Sequence, residues 1–364
     1  MQALLEADDR GIRCELGGFW VDPWKPVAEA VITHGHADHA RPGSERYHAA
    51  AEGRWLLERR LPGADIVYHD YGERFRLGDA MVSLHPAGHV LGSAQVRVEP
   101  VGGGPVWVAA GDYKRQADPT CTPFEVIPCD AFITEATFAL PAYRWDKPGV
   151  VGDEMLSWHL ANRDAGRTSV LLCYALGKAQ RALAEVGLAA KRRGVQLEPV
   201  LTHGAVEPLV EAYRASGIDL PMTRHAKEVG RSKAEREAVA GALVLAPPSA
   251  AGTTWLRRFG PSTRVETGFV SGWMRIRGVR RRRGHDRGFV MSDHADWPDL
   301  IRTIDQTGAR TILATHGNSD ALTRYLNESR DVEARALETA FVGEEDATRE
   351  EQSESEQANT GGES

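Results

Sequence analysis

Four side chains of metal-binding type fall within six consecutive residues, His34-Gly35-His36-Ala37-Asp38-His39. Neutral imidazoles and a carboxylate are donors suited to zinc in a hydrolytic site. So tight a turn does not easily deliver all four to one tetrahedral ion. It serves two neighbouring ions better, with His34 and His36 facing one and Asp38 and His39 the other. The competing reading, a histidine-rich surface turn, needs no such spacing. A second signal lies further along: Arg275, Arg277, Arg280, Arg281, Arg282, Arg283 and Arg287 stand in one stretch against a single acid, Asp286. Guanidinium forks match phosphate oxygens, and a basic stripe is the footprint expected on a nucleic-acid backbone. A solvated turn between two strands is the plainer alternative.

These groups need elements to hold them. Residues 27–33 are mostly apolar and read as a strand feeding the histidine turn. Residues 74–78, 81–86 and 94–99 read as further strands, and the glycines at 102–104 as a hairpin turn. Strands at 106–110 and 131–134 end at Asp112 and Glu135. Reactive groups placed just after strands are the habit of layered α/β folds. From about residue 150 the texture changes to strand 169–174, helix 178–190, short strand 197–201, helix 206–215 and strand 242–246. That alternation predicts a parallel sheet. Strands return over 265–290, followed by helix 298–307 and strand 311–314, and histidine-bearing turns return with them. The expectation is one catalytic domain built from both ends of the chain around an inserted α/β domain.

A length of 364 residues suits two domains at roughly 100–200 residues each. Hydrophobic residues at 42% and charged residues at 26% are ordinary for a globular protein. No apolar run nears the ~18 residues of a membrane span, and the first residues lack the basic-then-apolar pattern of a signal peptide. Both points predict a cytoplasmic protein with no membrane partner. Residues 343–364 carry eight acids and one base, which accounts for the whole net charge of −7 and leaves the body balanced. That acidic tail has no aromatic residue and is expected to be disordered. Cys14, Cys121, Cys129 and Cys173 form no CxxC pair, in keeping with a reducing compartment.

The segment His34 to His39 reads HxHxDH and resembles the signature of the metallo-β-lactamase fold. The other motifs follow in order. Asp22, in Gly18-Phe19-Trp20-Val21-Asp22-Pro23, matches the aspartate that supports the histidine loop. His89, in Pro86-Ala87-Gly88-His89-Val90-Leu91-Gly92-Ser93, matches the third-motif histidine ligand. Asp112, in Ala109-Ala110-Gly111-Asp112-Tyr113, matches the bridging aspartate. The likeness runs from about residue 10 to about residue 340. Thr134-Glu135-Ala136-Thr137-Phe138 resembles motif A of the β-CASP nucleases. Ser292-Asp293-His294-Ala295-Asp296 resembles motif B, and Ala314-Thr315-His316-Gly317-Asn318 motif C. Phe269-Val270-Ser271-Gly272-Trp273-Met274-Arg275, the arginine run and Asp286-Arg287-Gly288-Phe289 resemble the bacterial ligase-associated DNA exonucleases.

The resemblance implies an αββα metallo-β-lactamase sandwich with an inserted β-CASP α/β cap. It divides the chain into 1–150 and 263–342 for the sandwich, 151–262 for the cap and 343–364 for the tail. It implies two zinc ions, with manganese as the alternative at one or both sites. His34, His36 and His89 would hold one, Asp38, His39 and His316 the other, and Asp112 would bridge. The implied activity is that of a metal-dependent phosphodiesterase, a DNA exonuclease of repair. Hydroxide activated between the ions would attack, Asp38 serving as a catalytic group as well as a ligand. His294, held by Glu135, would protonate the leaving alkoxide. DNA, single-stranded or at ends, is the implied partner, with an ATP-dependent DNA ligase and a helicase as associates. RNA cleavage, including mRNA 3′-end processing, is the alternative. A small-molecule metallo-hydrolase would not need the insert or motifs A to C. Lys178, after Tyr174-Ala175-Leu176-Gly177, stands where a helix N-terminus can hold a phosphate.

Overall fold

The computed structural model describes residues 3–229, 234, 237, 239–276 and 287–339. Within them the chain forms two compact units. The first takes the residues up to Arg144 and again from His294, and the second those from Trp145 to Asp293.

The first unit opens with β1 (Glu6–Ala7), β2 (Ile12–Cys14), β3 (Phe19–Val21), β4 (Glu29–Val31), β5 (Arg46–Ala50) and β6 (Ile66–His69), one sheet in chain order. Helix α1 (Arg54–Arg60) joins β5 to β6. A second sheet follows, with β7 (Arg74–Leu77), β8 (Ala80–Pro86), β9 (Ala94–Pro100) and β10 (Trp107–Ala109) antiparallel in turn. Strand β11 (Ala131–Ala136) then lies parallel to β10. Side chains alternate across a strand, so one face of the second sheet (Val82, Leu84, Val96, Ile133) meets Ile12, Phe19, Val21 and Val31 of the first. Leu57 of α1 and Leu61 just past its end cover the far side of the first sheet over Ala30, Tyr47 and Ala49.

The second unit is a parallel α/β layer. Its elements are α2 (Val150–Asp164), β12 (Thr168–Leu172), α3 (Lys178–Arg192), β13 (Val200–Thr202), α4 (Glu207–Ala215), β14 (Thr223–His225), β15 (Leu243–Ala246), β16 (Val265–Val270) and β17 (Arg287–Phe289). They pair in the order β14-β13-β15-β12-β16-β17, parallel throughout. Strands buried on both faces read as continuous apolar runs, and every residue of β12 and β15 is buried. This corrects one expectation. Strands β16 and β17, which follow residue 263, do not return to the first unit: β16 pairs with β12 along five positions, and the chain rejoins the first unit only at His294.

Back in the first unit, α5 (Trp297–Thr307) starts where the Asp296 side chain accepts the Asp299 N–H at 3.0 Å, ahead of Pro298. Strand β18 (Thr311–Gly317) inserts between β11 and β19 (Glu333–Ala336), parallel to both, with α6 (Ser319–Ser329) between β18 and β19 in sequence. Leu300 and Ile304 of α5 and Leu322 and Leu326 of α6 pack on Val108, Phe132 and Ile312. The layers of this unit thus run helix, sheet, sheet, helix. No described helix is long and apolar enough to cross a membrane.

Candidate metal centre

All the candidate ligands lie in the first unit, on loops that leave strands. The β4 loop brings His34, His36, Asp38 and His39, the β8 loop His89, the β10 loop Asp112, and the end of β18 His316. One ligand atom each from His34, His36, His89 and Asp112 falls within 4.8 Å of the others. His36 Nδ1 is 3.0 Å from His34 Nε2 and 3.1 Å from His89 Nε2. Asp112 stands at the hub. Its Oδ2 is 3.6 Å from His34 Nε2 and 3.7 Å from both His39 Nε2 and His89 Nε2, while its Oδ1 is 3.2 Å from His316 Nε2. Asp38 Oδ2 lies 3.6 Å from His39 Nε2.

Hydrogen bonds behind the rings fix which nitrogen faces inward. Asp22 accepts the Thr33 N–H at 2.7 Å and the Thr33 hydroxyl at 2.5 Å. Since that hydroxyl spends its proton on a carboxylate, its oxygen must accept from His34 Nδ1, 3.0 Å away. Neutral His34 therefore turns a bare Nε2 into the cluster. His39 Nδ1 donates to Asp22 at 2.8 Å, so its Nε2 faces inward too. A carboxylate behind a ligating imidazole is the usual way such a ring is oriented. Asp22 does this at φ 44°, the one non-glycine residue at positive φ among those described. Strain of that kind persists where the surroundings over-determine it.

The electrostatics call for a cation. Burial opposes charge on His36 and, with His89 beside it, brings its pKa down to about 3. His34 is held well below its ordinary value by burial and by His39. Burial also opposes charge on His39, but Asp38, Asp22 and Asp112 outweigh it and bring its pKa up to about 10. Burial resists ionisation of Asp112, yet His294, His39 and His316 keep its carboxyl well below the usual range. Lone pairs thus converge on a buried carboxylate, an arrangement that a bound cation would satisfy. The donor set fits zinc or manganese.

His294 and Glu135 form a separate pair beside this centre. His294 Nδ1 donates to Glu135 Oε2 at 2.8 Å, and Glu135 Oε1 accepts the Tyr113 N–H at 2.9 Å. Both carboxylate oxygens are thereby engaged. Asp112, Glu135 and His294 also satisfy the spacing of a metal group, but those two hydrogen bonds favour an orienting role for Glu135. The His294 ring lies 4.7 Å from that of His89.

The proposed nucleic-acid contacts fare differently. Lys178 is 1% exposed, with Nζ 3.5 Å from Asp293 Oδ2 and 4.6 Å from the Tyr174 ring centre. It is a core ion-pair partner, not a surface phosphate contact. Arg275 pairs with Asp146 at 3.1 Å, and Arg287 is exposed over the Phe289 ring. Arg277, Arg280, Arg281, Arg282 and Arg283 lie outside the described residues, as does the acidic tail.

Several supporting residues carry no motif. Ser93 Oγ accepts the His89 and Val90 N–H groups at 3.0 and 3.3 Å. Glu52 accepts from the Tyr71 hydroxyl at 2.9 Å, the Thr122 hydroxyl at 2.6 Å and the Gly92 N–H at 3.3 Å, tying down the loop that bears His89. Arg41 and Arg60 donate to the carbonyls of Asp38 and Gly35 at 3.2 and 3.3 Å. Only Ser93, inside the His89 motif, had a sequence signal.

The fold and centre define the class: a mixed α/β protein whose grouped His, Asp and Glu side chains can hold a metal ion. No family model matches the chain. It is 30% identical over 335 residues to a probable DNA ligase from Opitutus terrae, which covers 90% of this chain. The chain spans 30% of the length of that relative. A crystal structure of a protein of unknown function from Enterococcus faecalis matches in fold, with a TM-score of 0.52 over 85% of this chain and 79% of the other, at 11% identity.

Proposed function

We propose that this chain is a metal-dependent phosphodiesterase acting on DNA, an exonuclease built on a metallo-β-lactamase-type sandwich with a β-CASP-type insert. The observation that carries the reading is the His294–Glu135 pair beside a centre that already has a full set of donors. A centre that only bound metal would have no use for a second, separately oriented imidazole. The name of the Opitutus terrae relative supports DNA as the substrate.

His34, His36 and His89 would hold one ion, Asp38, His39 and His316 a second, with Asp112 shared between them. Such ions, when bound, neutralise charge on a phosphodiester and acidify water. Asp22 holds the rings of His34, through Thr33, and His39 in the tautomers the centre needs. His294 donates through Nδ1 to Glu135, which leaves Nε2 as the atom that passes a proton to the leaving alkoxide. Glu135 keeps that ring from turning and stabilises it when charged. General acid help of this kind is worth typically ~10²–10⁴-fold.

The test uses matched 5′-labelled and 3′-labelled single-stranded DNA and RNA of one sequence, each with zinc or manganese, and His294→Ala as the control. Stepwise loss of nucleotides from DNA, absent in the variant, is the expected result and gives the polarity. Cutting of RNA with DNA untouched would move the chain to RNA processing. No cleavage of either polymer would overturn the reading.

A further inference from the structure

Helix α1 and the 3-10 turn before it, Ala51–Gly53, form a strap that touches both histidine loops. At one end Gly53 lies under the His89 loop, so closely that a Cβ on Gly92 would meet Gly53 Cα at 2.2 Å. Glu52 binds the same loop through the Gly92 N–H. At the other end Arg60 Nε donates to Gly35 O, between His34 and His36. Leu56 and Leu57 turn into the core. The outward side is therefore Arg54, Trp55, Glu58 and Arg59, all exposed. Trp55 is 46% exposed, whereas every other tryptophan in the chain is buried or half-buried. The Arg54 guanidinium lies 4.6 Å over the Tyr68 ring. Arg41 adds another guanidinium beside the histidine loop, through its bond to the Asp38 carbonyl.

Trp55 and Arg59 are four residues apart, hence neighbours on one side of the helix. The exposed charged residues of α1 itself are Arg54, Glu58 and Arg59, and Arg41 stands beside the histidine loop. Aromatic faces that stack on bases, set among guanidinium groups that follow the backbone, are how single strands are held without regard to sequence. We propose that the outer side of α1 is a guiding surface for single-stranded nucleic acid entering the metal centre. Trp55 stacks on a base, and Arg41, Arg54 and Arg59 contact the flanking phosphates. This rests on the nuclease reading and deepens it.

The experiment measures equilibrium binding by the full chain, stripped of metal with chelator, to a fluorescein-labelled oligothymidine across a salt series. Anisotropy is followed for the wild type, Trp55→Ala, Trp55→Phe and the double variant Arg54→Ala/Arg59→Ala. Trp55→Ala should bind about tenfold more weakly, and Trp55→Phe should recover most of that loss. The double variant should show a salt slope shallower by roughly one to two. Unchanged affinity in Trp55→Ala together with an unchanged slope in the double variant would overturn the proposal. So would capture of a protein by this face with no oligonucleotide binding. Zinc-loaded wild type is assayed in parallel on bis(4-nitrophenyl) phosphate. Failure to hydrolyse that ester counts against the phosphodiesterase reading, while the anisotropy series judges the α1 surface by itself.

Discussion

The first unit buries two sets of histidines, and they are wired in opposite ways. In the centre, His34, His36 and His89 aim ring nitrogens at one another and at Asp112. In the other set, His48 and His69 lie nearly parallel to Phe75, with ring centres 5.4 and 3.6 Å from it. Their nitrogens run along a line: Glu29 Oε2 to His48 Nε2 at 3.0 Å, His48 Nδ1 to His69 Nε2 at 3.0 Å, then His69 Nδ1 to Glu73 Oε1 at 3.6 Å. Two links of that line are hydrogen bonds made side by side along strands, whereas the central rings turn their nitrogens toward one shared carboxylate. The distinction follows from placement. His48 and His69 sit on adjacent strands of one sheet, so they can only lie side by side. The candidate ligands come from the ends of strands in two sheets and converge on Asp112.

The sharpest way to break this comparison is to remove the hub. Asp112→Ala should lose bound metal, and His48→Ala should keep it, as read by elemental analysis of dialysed protein; equal metal loss in both would erase the distinction. His294→Ala should retain metal but lose activity on DNA by ~10²–10⁴-fold. Loss of metal in that variant would make His294 a ligand.

Glu52→Gln should keep the fold but weaken metal affinity by roughly 10–100-fold, the cost of disturbing a support behind a ligand. Chelator competition measures it, and wild-type affinity would reduce Glu52 to a packing residue. The pH dependence of the metal-free protein separates the sets further. His36, with its folded pKa near 3 against an ordinary 6.5, contributes stability above pH 6.5 that is lost as pH falls toward 3. His39, with its folded pKa near 10, contributes stability below pH 6.5 that is lost as pH rises through 10. Thermal melts of stripped protein should therefore fall off on both sides of neutrality, and His36→Ala should flatten the acid side. The smallest effect is expected for His69→Ala, a loss of about 1–3 kcal/mol in urea unfolding from its broken hydrogen bond, with metal content unchanged.

The clustering of the candidate ligands was legible because each stands at or just past the end of a strand and sits in a short motif. Strand periodicity located β8, β9, β10, β11 and β18 to within a few residues for the same reason: alternating or continuous apolar runs ended by glycine or a charged group. The unit boundary was not readable. Val265 to Val270 mixes polar and apolar residues and would suit either sheet, and only its pairing with β12 assigns it. Lys178 misled because a lysine at a helix start looks exposed, and nothing nearby in sequence announces Asp293 as its partner. Helix α2 escaped notice because glycine, aspartate and asparagine interrupt its apolar pattern. Glu52 and Arg60 act through loops far away in sequence, and no local spacing encodes that.

Strand β18 bears on how the molecule is made. It brings His316, and it lies between β11 and β19. Until it emerges from the ribosome, β11 (Ala-Phe-Ile-Thr-Glu-Ala) is a bare edge with apolar residues and unpaired backbone groups, a template for pairing with another chain. The nascent protein carries the residues of the HxHxDH loop for most of its synthesis without His294 or His316 to complete the constellation. Long-range closure of this kind is slow and exposes intermediates to aggregation. A lesion in β18 should therefore depress the yield of soluble protein more than its effect on the finished fold would suggest.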